Sequence, residues 1–95
     1  MSEDMNALLA QMETFRHALE CFNEQLRSSF NALEVQHDTV SPLWQDEMRD
    51  QYDLVWDHLE YEMKTYVNTE GPAYEEFLDR KIIKLNEYLY GSGGR

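Results

Sequence analysis

No glycine or proline interrupts the chain between Glu3 and His37, and apolar side chains recur there at Met5, Leu8, Met12, Phe15, Leu19, Phe22, Leu26 and Leu33. The steps alternate three and four, with Ser29 filling the one gap. Such spacing draws one narrow apolar seam along one long helix. Phe30 sits beside the seam and widens it, while Glu13, Arg16, Glu20, Asn23, Glu24 and Arg27 form a solvated face. The first helix is expected at about 3–38.

The stretch T-V-S-P-L-W-Q-D-E-M-R-D-Q-Y-D-L-V-W, Thr39 to Trp56, separates this segment from a second one of the same character. Serine before proline reads as a helix start: the hydroxyl accepts from an orphan backbone N–H, and proline at the first helical position loses nothing by lacking one. A second helix is therefore expected over 42–68, with its seam at Met48, Tyr52, Val55, Leu59 and Tyr66. Opposite that seam runs an acidic stripe, Asp46, Asp50, Asp53, Asp57 and Glu60. Trp56 and Met63 flank the seam on one side, Leu54 and Tyr61 on the other, and apolar flanks mean that a helix touches more than one neighbour. Gly71-Pro72 is then expected to break the helix. A shorter third helix follows at 73–90, carrying Phe77, Leu78, Ile82, Leu85 and Leu89, with acidic residues at its start and Arg80, Lys81 and Lys84 later, as the helix dipole prefers. Gly-Ser-Gly-Gly-Arg at 91–95 reads as a flexible tail.

The expected fold is all-α: one domain at 1–90, a long antiparallel helical hairpin with a shorter third C-terminal helix. Composition agrees, since Leu, Met, Phe, Tyr, Glu and Asp are plentiful while glycine and proline are few. A single domain of 95 residues buries only a small core. The third helix can cover one flank of the hairpin. Phe30, Leu54, Trp56, Tyr61 and Met63 would otherwise stay bare, so pairing of two hairpins into a helical bundle is expected.

A net charge of -11 argues against nucleic acid, which needs a basic footprint, and favours basic partners. The lone Cys21 allows no internal disulfide. The start M-S-E-D-M-N is acidic where a secretory signal is basic, and no run is long enough to span a bilayer. Interfacial helices carry Lys and Arg on their polar face, whereas this first helix carries mostly Glu and Asn, so membrane binding is not expected. A cytoplasmic protein is expected, with export by a route needing no cleaved signal left open.

Chemistry-bearing pairs are sparse. Glu34-Val-Gln-His37 has the Glu-x-x-His form that binds iron in ferritin-like bundles, but the seam through Leu33 puts Glu34 on the outer face, at a helix end. His17 and Cys21 are four apart and provide two ligands where a structural zinc site takes four. His58 has only acidic neighbours. No oxyanion-hole loop or glycine-rich turn accompanies Cys21. No catalytic residue, cofactor or metal ligand is assigned, and the chain reads as non-enzymatic.

At Trp44 the chain resembles a known family. The Trp-x-Gly small proteins of bacterial type VII secretion systems are helical hairpins with that motif in the turn, an aromatic residue about eight positions on, and dimerisation into four-helix bundles. Trp44 follows the turn here, Tyr52 lies eight residues later, and Leu33, Trp56 and Leu59 fill comparable places. Asp46 stands where the family has glycine. Tyr66-Val-Asn-Thr-Glu70 is similar to the Tyr-x-x-x-Asp/Glu export signal of these proteins. The resemblance covers about 22–70. It implies a secretion-like substrate or partner that pairs with itself or a related small helical protein through Phe30, Trp44, Tyr52, Leu54, Trp56, Tyr61 and Met63. The alternatives are an acidic cytosolic adaptor docking a basic protein through the stripe, and a ferritin-like metal-binding protein.

Overall fold

The computed structural model describes residues 2–91, which are helical throughout except for a short connection. Helix α1 spans Ser2–Val40, a 3-10 turn takes Ser41–Leu43, and α2 spans Arg49–Thr65. A π-helical segment, Tyr66–Glu70, leads directly into α3, Gly71–Asn86, and a second π turn, Glu87–Gly91, closes the described chain. No strand occurs among the described residues. The rest of the expected tail, 92–95, lies outside them.

The connection differs from the expected one. Ser41 does not cap the second helix: Val40 is still right-handed helical, and Pro42 sits in the 3-10 turn that finishes α1. Trp44 is the residue that turns extended, at φ -93 and ψ 109. The turn before the next helix is held instead by Asp46, whose Oδ1 accepts from the Met48 backbone N–H at 2.9 Å and from the Trp44 indole N–H at 2.7 Å. Arg49 ties the two ends together. Its guanidinium donates to the carbonyls of Ser41 (2.6 Å) and Trp44 (3.0 Å) and to the Ser41 hydroxyl (2.7 Å), and its Nε reaches Asp53 at 3.0 Å. These bonds add to the one the Ser41 carbonyl already accepts from the Trp44 backbone N–H at 3.3 Å.

The expected break at Gly71-Pro72 is not a break. The helix passes through it by widening to the π register, in which the Gly71 N–H donates to the Tyr66 carbonyl five residues back. In that register Pro72, lacking an N–H, leaves the Val67 carbonyl unserved, and the Arg27 guanidinium donates to it at 3.3 Å. Asn23 Nδ2 likewise donates to the Gly71 carbonyl at 3.3 Å. Proline is tolerated because side chains of α1 replace the bond it removes. The third helix is thus a continuation of the second in sequence, not a separate element after a loop.

The chain forms two compact units, Asn23–Gly71 and the part to Phe22 together with the part from Pro72. In the first, α1 and α2 run antiparallel, as the pairs Arg27–Val67, Glu34–Lys64 and His37–Tyr52 require. Its core is Phe30, Trp56 and Val67. The Phe30 and Trp56 rings stack at 6.1 Å between centroids and 12° between planes. In the second unit α1 and α3 are also antiparallel, with Tyr90 bonded to Asn6 and Arg16 to Asp79. Leu9 and Leu85 are its buried residues.

Candidate interaction surface

The helix-facing seam of α1 is not the one its apolar spacing suggests. Met5, Met12, Leu19 and Leu26 do turn inward, but the row that completes the seam is Leu9, Arg16, Asn23, Phe30 and His37, seven residues apart throughout. The expected partners Leu8, Phe15 and Phe22 lie one position round the helix and stay exposed, Phe15 to 58% and Phe22 to 54%. Polar residues won these places through specific partners. Arg16 donates to both oxygens of Asp79, at 2.8 and 3.1 Å, with Glu75 at 3.6 Å, and the hydrogen bond to Asp79 raises its pKa. Asn23 accepts from the Tyr66 hydroxyl at 2.8 Å. The Tyr52 hydroxyl and His37 Nδ1 are 2.5 Å apart.

The apolar row left outside by this choice is matched on the second helical run, where Tyr74, Phe77 and Tyr88 are exposed. Between the two, Met5, Leu8, Met12, Leu85 and Tyr88 line an open groove of about 300 Å³, joined by Lys81 and Lys84. The Lys81 ammonium sits 5.3 Å from the centre of the Phe77 ring, a cation–π contact.

Several expected interaction residues change role. Phe30 and Trp56, expected as bare flanks, are 5% and 7% exposed and belong to the core, because Phe30 rather than Leu33 faces α2. Met63 is half-buried for the same reason. Leu54 and Tyr61 remain outside at 73% and 69%. Trp44 and Tyr52 are half-buried at the connection, their rings tilted against each other at 4.7 Å.

The acidic stripe is divided. Asp46 holds the turn before α2, Asp53 accepts from Arg49, and Glu60 pairs with Lys64 at 3.4 Å. Glu60, and then Glu34, hold the Lys64 ammonium above its ordinary pKa. Asp50 and Asp57 stand exposed and take part in no ion pair among the described residues.

Of the pairs weighed as ligands, Glu34 faces α2 and meets Lys64 at 3.6 Å, in place of the expected outward position. His37 packs between Trp56 and Tyr52. Cys21 Sγ and His17 Nε2 are 3.6 Å apart on the exposed side of α1. Among the described residues no three His, Cys, Asp or Glu side chains gather closely enough to hold a metal ion, and no helix is long and apolar enough to cross a membrane. Tyr66 and Glu70 bound the π segment, Tyr66 half-buried and Glu70 exposed.

Comparison with family models, with curated proteins and with solved structures finds no match.

Proposed function

We propose that this chain is a non-enzymatic helical interaction protein that pairs its open apolar face with a second copy or a related small helical protein. One observation carries the reading: Leu8 and Phe15 have seam spacing on α1, yet both side chains stay exposed. Each such residue gains roughly 1.5–3 kcal/mol on burial, so an exposed row beside Tyr74, Phe77 and Tyr88 favours association. Five buried hydrophobic side chains, Leu9, Phe30, Trp56, Val67 and Leu85, make a thin core for the described residues, and pairing would thicken it.

The likeness to the Trp-x-Gly proteins of type VII secretion supports the same reading. The ring of Trp44 at the connection lies tilted against that of Tyr52 eight residues later, and Asp46, in the family's glycine place, accepts from the Met48 N–H just before α2. A secretion-like substrate or partner is the role we propose on that basis. The alternative of an acidic adaptor for a basic protein draws on exposed Asp50 and Asp57.

Sedimentation equilibrium of the wild type beside Phe15→Glu tests the reading. The wild type should associate, and the variant should be lighter at unchanged helicity. Equal masses would remove this row from any interface.

A further inference from the structure

Two exposed stripes on the second helical run share one spacing. On α2, Asp50, Leu54, Asp57 and Tyr61 follow steps of four, three and four, and all are exposed. On α3 and the turn after it, Phe77, Lys81, Lys84 and Tyr88 follow the same steps, and they too are exposed. Steps of four, three and four keep a stripe on one helix face, and over such a span each is about 16 Å long. One carries two carboxylates among its apolar residues; the other carries two ammonium groups among its own. No ion pair of the described residues involves any of the four charges.

We infer that the α2 stripe of one copy docks against the Lys81–Lys84 stripe and its groove on a second copy, so that the chain pairs through unlike faces. This rests on the self-pairing proposed above and specifies it. The groove supplies an apolar floor in Leu8, Met12 and Leu85. Leu54 and Tyr61 supply the apolar insert, at 73% and 69% exposure. Charge decides between this and groove-on-groove pairing. Two copies of the groove would set Lys81 and Lys84 against the same lysines, while unlike docking sets them against Asp50 and Asp57. It also places attraction at the contact of two chains whose net charge of -11 otherwise repels.

The test is a charge exchange. Lys81→Glu with Lys84→Glu forms one variant, and Asp50→Lys with Asp57→Lys forms the other. Each alone sets like charges together and should weaken self-association by about tenfold or more. Mixed, each variant offers the other an opposite stripe, and association should return toward the wild-type level. All four positions are exposed, so circular dichroism should show both variants folded. Should a double variant lose its fold, Lys84→Glu and Asp57→Lys singly give the same comparison at smaller amplitude. A wild type that associates while the variants associate equally well, or fail to recover on mixing, overturns unlike-face docking and leaves self-pairing standing. A wild type that is a single chain under all conditions overturns both.

Discussion

The imidazole of His37 lies flat on the indole of Trp56, 4.1 Å between centroids and 6° between planes, with Phe30 stacked on the same indole. Trp56 is thus the aromatic centre of the unit Asn23–Gly71. Trp56→Ala should cost about 3–5 kcal/mol, the range for truncating a large buried aromatic. Trp44, half-buried against Tyr52, should cost less, about 1–2 kcal/mol. Urea midpoints of the two variants give the order, and the reverse order would make the connection, not Trp56, the organising point.

Asp46 accepts the Met48 N–H in the turn that leads into α2 and also holds the Trp44 indole. Asp46→Ala should destabilise by about 0.5–2 kcal/mol, as for other caps, and Asp46→Asn should recover most of that. Thermal melts of both variants check it. Equal losses would show that charge, not capping, is what matters.

The helical fold was legible because α1 has no breaker and because period is a strong signal over so many turns. Which row of α1 faces inward was not. Leu8, Phe15 and Phe22 outrank Arg16 and Asn23 in hydrophobicity, and only the positions of Asp79, Tyr66 and Gly71 on the opposite run reveal why the polar pair lies inside. Heptads that share Met5, Met12, Leu19 and Leu26 differ only in their second row, so the pattern pointed to the right helix and the wrong side. The passage through Pro72 was hidden for a similar reason. Its compensation comes from Arg27, forty residues away by the hydrogen bond it makes, and no local rule contains that.

Gly71 is where the π segment meets α1. A Cβ there would stand 3.1 Å from Asn23 Nδ2 and 3.2 Å from Tyr66 Cε1. Those two side chains are bonded to each other, so neither yields freely. Gly71→Ala should therefore be destabilising by about 1 kcal/mol despite alanine's better helix propensity of about 0.5–1 kcal/mol. Chemical denaturation decides the sign, and a stabilised variant would mean that Asn23 and Tyr66 shift without loss.

Arg16 and Asp79 set the register of α1 against α3 from part-buried positions. Arg16→Asp should destabilise the fold, and adding Asp79→Arg should restore part of it, with a coupling of about 1 kcal/mol after allowance for solvent screening. A double-mutant cycle measures that coupling. A value indistinguishable from zero would leave the polar seam position without a stabilising role.

The proposal that this chain works by pairing helical faces meets its most direct test in the mass of the wild-type protein in solution. Light scattering on a sizing column at micromolar concentration should read twice the chain mass or more, because Leu8, Phe15 and Phe77 would otherwise stay exposed to water. A single-chain mass from a protein that unfolds cooperatively would contradict the account, since the exposed row would then need no partner.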